Sequence, residues 1–156
     1  MAAIKADFNP DAELRKMQQK RVAIRSAIIA NLFYIGEECL KEARSCHLYL
    51  NQTGNLCSSI GYCIIADGQI VGEKFFDRSA GRGGEKPGKS GKEAGLAYIH
   101  ELAGDYAKKG GVTLLMVAGM PYAEYVEDMG LNVLDSSEQL AERKVREFIN
   151  KHFTVK

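Results

Sequence analysis

Tryptophan is absent from the 156-residue chain, and only 8% of its residues are aromatic, so any core must be built mainly from aliphatic side chains. An excess of one charge is also missing: 21 Lys+Arg face 20 Asp+Glu, a formal net charge of +1. That balance excludes a histone-like basic chain and gives no global pull toward nucleic acid or a membrane surface, so any electrostatic role is local. Long apolar runs are lacking too. Runs such as those near 27–30 and 112–118 fall far short of the ~20 residues a spanning helix needs. The first 20 residues hold Asp7, Asp11 and Glu13 and no apolar stretch, so no secretory signal is expected. The four cysteines (Cys39, Cys46, Cys57, Cys63) are spaced by 7, 11 and 6, with no C-x-x-C among them. Cys46 with adjacent His47 could join Cys57 or Cys63 around zinc, but the spacing matches no common zinc framework. Buried, reduced thiols in a chain made in the cytoplasm are the favoured reading, with no metal and no cofactor.

What is present is the makeup of one ordinary domain: 46% apolar and 26% charged residues over a length typical of a single unit. Asn9-Pro10 opens a helix, since Asn caps well, Pro suits the first turn, and Asp11 and Glu13 follow. Apolar positions then recur at Leu14, Met17, Ile24, Ile28, Leu32, Ile35, Cys39, Ala43 and Cys46, one stripe on a helix running from 10 to 46. At 1.5 Å per residue such a helix is about 55 Å long. Either Gly36 kinks it, or one end projects and packs on another subunit.

Residues 51–55 (NQTGN) form a turn cluster in which Gly54 supplies a conformation that a Cβ would resist. Thr53 or Asn55 is placed to satisfy local backbone groups. Residues 60–66 read as a strand, Asp67-Gly68 as a tight turn, and 69–76 as the returning strand. Helices are expected over 93–109, 121–129 and 136–152, a central strand over 112–118, and a short strand over 132–134. Hairpins with helices on one face make this an α+β domain of two layers.

Residues 77–92 (DRSAGRGGEKPGKSGK) contain five glycines and five cations against two acids, a composition that predicts a mobile loop. Within it, Gly83, Gly88, Lys89 and Ser90 complete a G-x-x-x-x-G-K-S phosphate-loop pattern. In that reading backbone amides cradle phosphates, Lys89 reaches the terminal phosphates and Ser90 binds Mg²⁺. Such a loop should spring directly from a buried parallel strand, and here residues 77–82 intervene after a hairpin strand. A flexible basic loop is therefore favoured, with a small nucleotide-binding protein as the alternative. Its cations (Arg78, Arg82, Lys86, Lys89, Lys92) could meet DNA phosphates without sequence preference. His47, His100 and His152 are scattered, and no triad is expected. Glu124, Glu127 and Asp128 could form an acid–base pair, but a solvated helix face is the simpler reading.

Two segments carry a resemblance. Thr53-Gly-Asn-Leu56 followed by Ser58-Ser-Ile-Gly-Tyr62 resembles the entry into the first hairpin of phage neck proteins, the tail-completion family that joins head to tail in long-tailed phages. Ala118-Gly-Met-Pro-Tyr-Ala-Glu-Tyr-Val-Glu127, then Gly130 and Asn132–Leu134, is similar to that family's second block. Together with the order of helices, the resemblance covers roughly residues 20–150. Cys57 departs from it, standing where the family often has a basic residue. The resemblance implies a non-enzymatic virion component made in the host cytoplasm. It would be a subunit of a six- or twelve-fold homo-oligomeric ring around a DNA channel, contacting other connector and tail proteins and no membrane. Tyr122 and Tyr125, with Glu124 and Glu127 beside them, become candidate contacts between subunits, because tyrosines offer large rigid surfaces. Packing of both rings on their own sheet is the alternative.

Overall fold

The computed structural model describes residues 9–75 and 90–153. Eight elements follow one another: α1 (Pro10–Ser45), α2 (Asn55–Ser59), β1 (Ile60–Ala66), β2 (Gln69–Phe75), α3 (Gly91–Ala107), β3 (Val112–Ala118), α4 (Ala123–Asp128) and α5 (Asp135–Phe153). The protein is α+β, with a long N-terminal helix and an antiparallel sheet of order β2-β1-β3. Among the described residues, no helix is long and apolar enough to cross a membrane.

Local chemistry sets most boundaries. Asn9 Oδ1 accepts from the Ala12 amide at 3.2 Å, so the expected cap starts α1. Asp67 and Gly68 both have positive φ (50° and 78°), the twist that joins two strands through a two-residue turn. Gly54 has φ 77° and turns the chain into the short helix α2, an element the turn cluster only hinted at. Helix α3 starts two residues earlier than the sequence suggested. Ser90 caps it, with its hydroxyl accepting from the Glu93 amide at 3.2 Å while the Glu93 carboxylate accepts from the Ser90 amide at 3.3 Å.

The sheet departs from expectation in two ways. Its central strand is β1, and β3 is an edge: β1 pairs β2 from Gly61↔Phe75 to Ala66↔Gln69 and β3 from Ile60↔Ala118 to Ala66↔Val112. Helices also lie on both faces rather than one. Ile60, Tyr62 and Ile64 meet Leu40 and Ala43 of α1, whereas Cys63 and Ile65 meet Ile99 and Ala103 of α3. Both faces of β1 are therefore buried along its whole length. Burying seven residues on two faces favours the strand that is apolar at both parities and has a glycine where its neighbour must close in. A Cβ at Gly61 would fall 2.3 Å from the Phe75 ring. The same logic lets α1 approach: a Cβ at Gly36 would stand 2.6 Å from the Tyr62 ring. The Tyr62 hydroxyl then donates to Glu37 Oε1 at 2.7 Å, and Lys74 of β2 binds Glu37 Oε2 at 2.7 Å, joining helix and hairpin.

Helix α5 packs on α1. Ser137 Oγ donates to the Cys39 carbonyl at 2.9 Å, and Lys144 Nζ pairs with Glu38 at 2.7 Å. The strand expected over 132–134 does not form. Asn132 has φ 54°, and the next backbone amides turn toward a side chain described below. Cys39, Cys57 and Cys63 are buried, as free thiols. Cys46 is the correction in that set: it caps the end of α1 and is exposed.

Candidate functional site

Two surfaces combine exposed apolar side chains with charge, and they lie at opposite ends of the sheet. The first is the corner that β3 leads into. After Ala118 the chain turns through Met120 and Pro121 into α4, and the segment after α1 runs alongside it. The Leu48 amide donates to the Leu131 carbonyl at 2.9 Å. Tyr49, Leu50, Thr53, Leu56, Tyr122 and Val126 border a cleft of about 210 Å³ between the two segments. Tyr49 is buried under it, with its hydroxyl 3.0 Å from Cys57 Sγ, and that burial holds its ionisation well above the ordinary phenol range. Burial also raises the pKa of Tyr122, against the opposing pull of its bond with Thr53.

The two tyrosines expected at an interface are placed differently. Tyr122 leans into the cleft with its ring partly exposed, while Tyr125 is 66% exposed one turn further on. Met129, 51% exposed, follows Tyr125 by four residues on the same side of α4. Leu48 and Leu50 add further exposed apolar area. Glu124 and Asp128 flank the rings as exposed carboxylates.

Glu127 does something the sequence did not reveal. Its Oε2 accepts from the Val133 amide at 2.8 Å and the Leu134 amide at 2.7 Å, and its Oε1 accepts from the Asp135 amide at 3.1 Å. The carboxylate thus stands at the start of α5, where backbone donors are unpaired and the helix dipole favours negative charge. These three amides explain why no strand forms over 132–134. They also place the Glu127 carboxylate inside the subunit rather than on a partner. The eight-residue gap from Glu127 to Asp135 hides this cap, because caps are recognised in sequence by spacings of about three.

The second surface is the N-terminal half of α1. No described residue before Ile35 is buried, yet the apolar stripe continues outward. Leu14 is 54% exposed and Met17 68%. Between this part of the helix and the turn end of the sheet runs an open groove of about 580 Å³, lined by Met17, Lys20, Ile24, Arg25, Ile28 and Gly111 among others. Arg25 pairs with Asp67 in the hairpin turn. Lys20 and Arg21 stand exposed on the same rim and form no ion pair among the described residues. The sequence signalled the projecting helix through its length, but not the groove beside it.

The remaining candidates do not come together. His47 is stacked on Tyr49 at 4.5 Å, His100 lies 3.1 Å from Glu73, and His152 packs on Phe148 at 4.8 Å, so the three histidines sit on separate elements. Among the described residues, no group of three or more His, Cys, Asp or Glu is placed to hold a metal. Arg78, Arg82, Gly83, Lys86, Gly88 and Lys89 lie outside the described residues, as does the rest of the expected loop up to residue 89. Ser90 is engaged as the cap of α3, and Lys92 is exposed on its first turn. The strand leading toward this segment, β2, is an edge strand of an antiparallel sheet. A scan against protein-family models, a search of curated proteins and a search of solved structures each find no match.

Proposed function

We propose that this chain is a structural, non-enzymatic subunit of a homo-oligomeric ring at the head–tail junction of a long-tailed bacteriophage, made in the host cytoplasm and built into the virion neck. The reading rests on the resemblance of segments 53–62 and 118–134, and one structural observation carries it further. Helix α1 keeps its apolar stripe beyond Arg25, which pairs with Asp67 at the turn end of the sheet, and there Leu14, Met17 and Ile24 stand exposed. Helices in water owe most of their stability to packing of an apolar face, and a second chain supplies that packing. Where identical chains meet through unlike surfaces, the contact is heterologous and closes into a ring when the rotation divides a full turn. A six- or twelve-fold ring around DNA, with other connector and tail proteins above and below, is the assembly implied. The cations at 78–92 would then face the channel and touch phosphate without reading sequence.

The alternative is a nucleotide-binding protein using Gly83, Gly88, Lys89 and Ser90. No structural observation favours it, since β2 is an antiparallel edge strand and Ser90 serves as a helix cap. One experiment separates the two. The purified chain, concentrated and imaged by negative-stain electron microscopy, forms closed rings, and Mg-ATP up to millimolar concentration leaves its melting temperature unchanged. A ligand at 100 times its dissociation constant would stabilise the fold by about 2.7 kcal/mol. Micromolar ATP binding that Lys89→Ala abolishes, in a chain that stays monomeric, overturns the ring reading.

A further inference from the structure

We infer that the groove beside the projecting half of α1 receives the α4 corner of a second copy of this chain. The inference rests on the ring reading and gives its contact a definite pair of surfaces.

The chemistry of the two surfaces is complementary. The groove has an apolar floor of Met17, Ile24 and Ile28 and a cationic rim of Lys20, Arg21 and Arg25, with Asp67 as the acid that Arg25 already binds. The α4 corner presents the opposite charge around an apolar centre, with Tyr125 and Met129 between the carboxylates of Glu124 and Asp128. Glu127, turned inward onto the α5 amides, leaves those two acids as the charges that α4 offers a partner. An exposed aromatic entering an apolar groove, ringed by opposite charges, is the arrangement in which a few central side chains supply most of the binding energy and the rim sets orientation.

Placement rules out the subunit's own α4 as the occupant. The groove adjoins Asp67 and Gly111, at the end of the sheet where Ala66 pairs with Val112. The α4 corner follows Ala118, at the end where Ile60 pairs with Ala118. Seven residues of β3 therefore separate them, about 23 Å at ~3.3 Å per residue. A subunit cannot fold its own α4 into its own groove. It can offer the corner to one neighbour and the groove to another, the head-to-tail geometry that propagates around a ring.

Sedimentation velocity of the purified full chain, over a concentration series at low salt, tests the docking. Lys20→Glu with Arg21→Glu, or Glu124→Lys with Asp128→Lys, places like charges across the contact and weakens self-association roughly 10-fold or more. All four substitutions in one chain restore the complementarity and the assembly. Met17→Asp blocks the groove and Tyr125→Asp blocks the corner, and both sites are exposed, so the variants keep the wild-type circular dichroism. Each is monomeric alone, and a 1:1 mixture forms pairs and nothing larger, because only one working contact remains. Rings that form unchanged in every variant overturn the docking and leave the ring reading standing. A wild-type chain that stays monomeric throughout overturns both. Blocked variants that never pair on mixing overturn the docking in favour of a contact between like surfaces. Duplex DNA that binds the wild type and is lost with Lys20→Glu and Arg21→Glu, while assembly persists, overturns it in favour of a phosphate-binding groove.

Discussion

Replacing Glu127 by alanine removes the acceptor for three backbone amides at once. The Val133 and Leu134 amides at 2.8 and 2.7 Å are partly buried, and Val133 itself is fully buried, so water cannot take over both bonds. The Asp135 amide, at 3.1 Å, is exposed and rehydrates. Loss of a helix cap costs about 1 kcal/mol, and each donor left dry costs about 1–3 kcal/mol. Part of that second cost relaxes as the loop shifts, which leaves about 3 kcal/mol in total. In a chain of this size each kcal/mol lowers the melting temperature by about 2–4 °C, so Glu127→Ala should melt about 6–12 °C below wild type.

The assay is a thermal melt followed by far-ultraviolet circular dichroism, in dilute protein so that assembly does not contribute. Glu127→Gln keeps one carbonyl acceptor without the charge and should lose roughly half as much. A Glu127→Ala melt within about 2 °C of wild type would refute the capping argument. Should the same variant then fail to assemble, Glu127 would be the contact between subunits that its neighbourhood in the sequence suggests.

Two further outcomes follow from buried groups. Burial holds the Cys39 and Cys63 thiols up at about 11 and also raises that of Cys57, whereas Cys46 is exposed; a thiol-reactive chromophore should therefore label one cysteine rapidly in the native chain and four in denaturant, and fast labelling of two or more native thiols refutes the packing described. Burial works against the charge of Glu37, but Lys74 and Tyr62 more than offset it and hold its carboxyl below the usual range. A depressed folded-state pKa contributes stability that is present above the unfolded value of about 4.3 and is lost as pH falls through the folded one. Denaturant melts from pH 6 to pH 3 should thus show a shallower acid loss for Glu37→Gln than for wild type, and parallel curves would refute the linkage.

Signals that act within a few residues were legible in the sequence, and signals that depend on what lies across the sheet were not. Asn9-Pro10 starts α1 and Asp67-Gly68 turns the hairpin, because a cap and a two-residue turn are complete in their own chemistry. Strand order was different. Residues 60–66 and 112–118 are both mostly apolar at both parities, and periodicity alone treats them alike. What separates them is tertiary: Gly61 leaves room for Phe75, α1 and α3 close on both faces of β1, and β3 keeps a half-exposed edge. The Glu127 cap is hidden for the same reason, since a donor set eight residues away becomes a neighbour only after α4 has turned the chain back.

The candidate interface was half legible, and the reason is arithmetic. An apolar stripe states that one side of a helix is covered, not by what, and the stripe from Leu14 to Ala43 reads as uniform along its length. At 1.5 Å per residue the 36 residues of α1 span about 54 Å, whereas a seven-residue strand gives the sheet about 23 Å to lie against. Part of the helix must therefore outrun its own sheet, and with Arg25 still paired to Asp67 at the turn end that part is residues 10–24. Which end projects is set by position: Gly36 fits the Tyr62 ring and Cys39 bonds Ser137, so the C-terminal part is held and the N-terminal part is left over. The groove lies at that turn end, between the projecting helix and Asp67 and Gly111. Its occupant is the part that no pattern within one chain encodes. Complementarity between Lys20–Arg21 and Glu124–Asp128 exists only once the fold has placed the two pairs at opposite ends of β3.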